Sequence, residues 1–98
     1  MAYIGGINQE LIQIIVPALR SGGFVATICE IPGLRGIKPE NICNRCKTKK
    51  GVQIELSRGF REKLFDHLGH RSLRRKTIVF YQFVNILKEA LLLFLRKV

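Results

Sequence analysis

Ninety-eight residues carry 17 Lys and Arg against 7 Asp and Glu, a formal net charge of +10, with 47% apolar residues and no Trp. A chain of this length holds one hydrophobic core at most, which excludes a large enzyme with a separate substrate domain. Its apolar content is too high for a disordered basic tail. The charge also excludes a protein that blocks a nuclease by imitating DNA, since such a mimic has to be acidic.

Along the chain, Ile7, Leu11, Ile14, Ile15, Ala18 and Leu19 recur at spacings of three and four, which predicts an amphipathic helix. Pro17 lacks an amide hydrogen and crowds the preceding turn, so this helix is expected to kink or restart near Val16, and Gly22–Gly23 end it. Phe24–Ile31 is rich in β-branched residues and reads as a strand closed by the Pro32–Gly33 turn pair. No periodicity follows until Val52, Ile54 and Leu56 alternate with Gln53 and Glu55, the pattern of a half-buried strand. Ser57 is placed to cap a helix whose Phe60, Leu64, Phe65 and Leu68 form one stripe, with Gly69 as its stop. A last helix is expected from near Ser72 to Arg96, apolar over most of its circumference apart from a line of Gln82, Asn85 and Glu89.

The fold class that follows is α+β, mainly α with a small β element, in one small domain with a long apolar C-terminal helix. Within that single domain over 1–98, residues 1–34 give a helix plus a strand, 35–56 a basic Cys-containing loop and a short strand, and 57–98 two helices. The other elements are expected to cover one broad face of the last helix. Its remaining apolar surface then calls for self-association or a protein partner. Phe80, Phe83, Leu87, Leu91 and Phe94, with Arg71, Arg74, Arg75 and Lys76 at the helix entry, are the candidate partner-binding residues. Gln82, Asn85, Lys88 and Glu89 in the middle of this helix argue against a membrane span, although a helix lying on a membrane surface is compatible with the preceding basic cluster.

The charge is concentrated. Residues 35–76 hold 13 basic and 4 acidic side chains, a net +9, which suggests an anionic partner. One basic group, Arg45, Lys47, Lys49 and Lys50, surrounds a Cys43-x-x-Cys46 knuckle whose spacing lets two thiolates reach one zinc ion. His67 and His70 would have to supply the other two ligands, with twenty residues between Cys46 and His67, longer than the interval of a standard finger. The alternative is no cofactor, with the cysteines a free loop pair. A catalytic redox pair lacks the surrounding strand–helix context. No G-x-S-x-G, P-loop or H-E-x-x-H occurs, so the chain is expected not to be an enzyme. Pro32 and Pro39 lie in a glycine-rich loop where a host prolyl isomerase could act. Met1–Gln9 lacks the basic and small-residue features of a secretory signal, and three cysteines are an odd number for a disulfide framework, so a cytosolic setting is expected.

The full length, the opening MAYIGGINQELIQIIV and the centre NICNRCKTKKGVQIEL resemble the small anti-RecBCD proteins of temperate lambda-like phages, in particular the second of the two that such phages encode. That resemblance implies a protein of the host bacterial cytoplasm. It would bind the host RecBCD helicase–nuclease through its RecC subunit, with DNA possible within the complex, and alter hotspot recognition so that phage recombination is favoured. It implies no catalytic residues. The alternative reading of the same residues is a small zinc-knuckle DNA-binding regulator; a membrane-surface peptide of lysis type is a third.

Overall fold

The computed structural model describes residues 1–96. Its first strand, β1, is Ala2–Gly5, and alternation creates it: Ala2 and Ile4 are fully buried while Tyr3 between them is half-buried. The chain leaves β1 through Gly6, whose φ of 120° suits glycine. Helix α1 then runs Gln9–Ser21 behind an Asn8 cap, whose side chain accepts from the Leu11 amide at 3.1 Å. Strand β2, Ala26–Ile28, lies parallel to β1, and β3, Gln53–Leu56, lies antiparallel on its other side, giving the order β2-β1-β3. Between them a 3₁₀ turn at Ile42–Asn44 anchors the long loop. Ser57 caps α2, Arg58–Leu64, by accepting from the Phe60 amide at 3.2 Å. Strands β4, Phe65–Asp66, and β5, Arg75–Lys76, form a two-residue antiparallel ladder, and α3, Ile78–Arg96, completes the fold.

The molecule is a small single α+β domain, with three helices, a small sheet and a C-terminal apolar helix. Leu11, Ile12, Ile15, Val16 and Leu19 of α1 form its buried face, within one cluster that includes Ala2, Ile4 and Ala26 of the sheet. Helix α3 packs on α1 and α2. At one end of the core the rings of Phe24, Phe60 and Phe83 form a triangle with centroids 5.2 to 5.6 Å apart. Such tilted and edge-on pairs stabilise by about 0.5–1.5 kcal/mol beyond their buried area.

Several boundaries differ from those the residues predict. The central strand β1 is absent from the expected elements. Helix α1 does not restart at Pro17, because Gln13 and Pro17 both lie on its exposed face and the Gln13 carbonyl, deprived of its amide partner, can turn to water. The expected strand over 24–31 shortens to Ala26–Ile28. Helix α2 ends at Leu64 rather than Leu68: Phe65 turns extended to pair with Lys76, and His67 takes a left-handed φ of 55°. Helix α3 begins at Ile78, after Thr77, whose hydroxyl accepts from the Phe80 amide at 3.4 Å.

Only Phe83 and Ala90 of α3 are buried, and Ile78, Tyr81, Val84, Leu91, Leu92, Leu93 and Leu95 are exposed. By length and composition alone this helix could cross a membrane. Phe83 belongs to the core and is unavailable to a partner; Phe80, Leu87 and Phe94 are half-buried against it, and Leu91 is exposed.

Candidate functional site

Three surfaces carry chemistry. The first is the face of the sheet defined by Tyr3. Register places Thr27 and Glu55 beside Tyr3 on the two neighbouring strands. By the two-residue period these three polar side chains share one face, opposite the row formed by Ala2, Ile4 and Ala26 in the core. Glu55 is exposed there, and it is the one carboxylate within the three-stranded sheet. In the sequence Glu55 is visible only as a polar alternate of β3. Its signal was that same alternation, which fixed its face but not its neighbours.

The second surface is the long loop. Asn44, only 1% exposed, is its hub. Its side-chain nitrogen donates to the carbonyls of Gly36 (2.6 Å) and Lys38 (3.0 Å), and its oxygen accepts from the amides of Gly51 (3.0 Å) and Ile7 (3.4 Å). One buried amide thus ties the basic loop to the turn that follows β1. Cys43 and Cys46 flank this hub. The Cys43 thiol donates to the Gly36 carbonyl at 3.6 Å, and Cys46 lies 3.5 Å from both the Thr48 hydroxyl and the Lys50 carbonyl. Burial pushes the Cys43 thiol above its ordinary value, whereas the hydrogen bond from Thr48 holds exposed Cys46 below it. Arg45, Lys47, Lys49 and Lys50 are all exposed around it.

The zinc set does not assemble. Among the described residues no three His, Cys, Asp or Glu side chains gather to hold a metal ion. Cys43 and Cys46 sit in the loop against the end of β1, and His67 and His70 sit in the turn between β4 and β5, the first bent away by its left-handed backbone. The H-x-x-H spacing suggested a helix face, but α2 ends before it begins. Pro32 and Pro39 lie in exposed loop, and no cis peptide bond occurs among the described residues.

The third surface is the hairpin of β4 and β5 with its turn, where residues 66–76 are exposed apart from half-buried Leu68. It carries Arg71, Arg74, Arg75 and Lys76, and Arg58 of α2 approaches it, one guanidinium nitrogen lying 4.0 Å from where a Cβ would stand at Gly69. The two basic groups therefore occupy different elements, one against the end of β1 and the other beside the start of α3.

This arrangement of sheet and helices recurs in a solved hydrolase. A bacteriophage poly-gamma-glutamate hydrolase superposes with a TM-score of 0.86 at 31% identity, over 99% of this chain and 47% of that one. The chain belongs to the poly-gamma-glutamate hydrolase family, whose model matches residues 1–86. The solved zinc-free form of YndL is similar as well, with a TM-score of 0.80 and 31% identity over 93% of this chain and 46% of that one. Two Bacillus subtilis proteins match at the sequence level. YmaC is 34% identical over 90% of this chain and 38% of its own length, and YndL is 33% identical over 86% and 34%. The chain thus spans little more than a third of these curated relatives and just under half of the solved chains.

Family membership overturns the resemblance to anti-RecBCD proteins. The opening string that carried it encodes β1 and α1, and the central string encodes the Asn44 loop and β3. Both lie within the stretch that the hydrolase family model matches. RecBCD modulation and the DNA-binding alternative fall with it, as does the expectation that the chain is not an enzyme, since the family is a hydrolase family. The absent motifs excluded only the reaction classes they define. One solved relative was studied in a zinc-free form, yet the described residues here do not fit that metal: two loop cysteines, each bonded to backbone, make no closed or open zinc site.

Proposed function

We propose that this chain acts on poly-γ-glutamate as part of a hydrolase fold. The observation that carries the reading is the family match over residues 1–86, joined to the superposition on a poly-gamma-glutamate hydrolase. The charge supports it independently. Poly-γ-glutamate links each residue through its γ-carboxyl, leaving one free α-carboxylate per residue, and a net charge of +10 suits such a polyanion.

Cleaving its amide requires a group that takes a proton from the attacking water and returns it to the leaving amine. A carboxylate on a rigid strand is suited to that exchange. We assign it to Glu55, which β3 holds in register with Tyr3.

The test is to incubate the purified protein with long poly-γ-glutamate and follow polymer length by size exclusion. The expected result is shortening, abolished by Glu55→Gln with binding retained. Binding without shortening would reduce the chain to a polymer-binding surface, and absence of binding would overturn the reading.

A further inference from the structure

We infer that the β4–β5 hairpin holds the carboxylates of the polymer through Arg74 and Lys76, positioned beforehand by the rings of Phe65 and Phe80. The inference rests on the poly-γ-glutamate reading and names the surface that reads the polymer.

Phe65 is directly opposite Lys76 in the ladder, and Arg74, just before β5, reaches the same Phe65 ring. Arg75 faces the other way, opposite Asp66. The Arg74 guanidinium lies 6.0 Å from the Phe65 ring centre and donates to the Leu68 carbonyl at 2.8 Å. The Lys76 ammonium lies 5.0 Å from the Phe80 ring centre, and the two rings are themselves 5.3 Å apart. Two exposed cations are therefore fixed side by side over a pair of packed aromatic rings.

Two contrasts separate this from an ordinary solvated face. Among the described residues the one ion pair is Arg58–Glu62, so neither Arg74 nor Lys76 has a protein carboxylate within 4.0 Å, and both remain available to a polymer that brings its own. Lys47 and Lys49, in the Asn44 loop, make no side-chain hydrogen bond, ion pair or ring contact among the described residues. A free lysine loses its rotamer freedom when it binds. A cation already held by a ring and a carbonyl loses less, so the hairpin should bind carboxylates more tightly than an equal charge elsewhere.

The experiment titrates the full chain into fluorescein-labelled poly-γ-glutamate and reads anisotropy. It compares Arg74→Gln/Lys76→Gln with Lys47→Gln/Lys49→Gln, which removes the same charge from the other basic group. All four side chains are exposed, and thermal unfolding confirms that each variant folds. The hairpin variant is expected to bind about tenfold more weakly, and the loop variant within about twofold of the parent. Phe65→Leu, which keeps both charges, should weaken binding in the same direction. Equal losses in the two double variants would overturn the inference while leaving the substrate reading intact. A parent chain that does not bind the polymer would overturn both.

Discussion

Asn44 is the polar side chain on which the long loop depends. Buried polar groups are costly unless paired, and this amide satisfies two carbonyls and two amides at once. Asn44→Ala leaves the Gly51 and Ile7 amides without a partner, while the Lys38 and Gly36 carbonyls keep the Asn41 amide and the Cys43 thiol, and should cost about 2–4 kcal/mol, read as a lower urea midpoint. Gly51 is constrained by the same clamp: a Cβ there would collide with the Cys43 carbonyl, so Gly51→Ala should loosen the loop as well. The thiols report on it chemically. Cys46 is exposed and held below its ordinary value by Thr48, while Cys43 is pushed above it and Cys29 is buried. The thiolate is the reactive form, so a raised value means less of it at a given pH and a lowered value more. Iodoacetamide should therefore modify Cys46 first as pH rises, with mass mapping to locate the adduct, and Thr48→Val should slow that reaction.

Among the elements, those built on local patterns were the legible ones. Apolar spacing revealed α1, alternation revealed β3, and Ser57 marked the start of α2. What escaped depended on distant partners. β1 is four residues long and runs into Gly5–Gly6, which read locally as a break; its identity comes from pairing with Ala26–Ile28 and Gln53–Leu56. The hydrophobic stripe of α2 continues through Phe65 and Leu68, yet pairing with Lys76 pulls Phe65 out of the helix. Thr77 caps α3, a role hidden in the sequence by the basic run before it and the apolar run after it. Of the candidate site, the basic residues were legible as charge and Glu55 as a polar alternate of a strand, while its neighbours Tyr3 and Thr27 come from long-range pairing. Helix α3 gives a direct check of what burial means. Phe83→Ala opens the aromatic triangle and should cost about 3–5 kcal/mol in denaturant unfolding. Leu95→Gln, at a position 63% exposed, should stay within about 0.5 kcal/mol of the parent.

For the molecule as a whole, the balance of +10 bears on the polyanion proposed as its substrate. Attraction between exposed charges extends over a Debye length of about 8 Å in physiological salt and about 3 Å at 1 M. Binding of poly-γ-glutamate should accordingly weaken steadily between low and high salt, as anisotropy titrations would show. A salt-independent affinity would point to apolar contacts, such as the exposed side of α3 or the groove it forms with α1, lined by Ile14, Pro17, Ile86 and Leu93.

The central place of β1 also governs the order in which the chain acquires its shape. Helix α1 draws on neighbours in sequence, but Ala2 must find Leu56 before the sheet is complete. Contacts so far apart along the chain close late, because the intervening loop loses its freedom first. During synthesis the side of α1 that packs on α3 likewise stays uncovered until Ile78–Arg96 has been made. Over that interval the nascent protein is most exposed to aggregation.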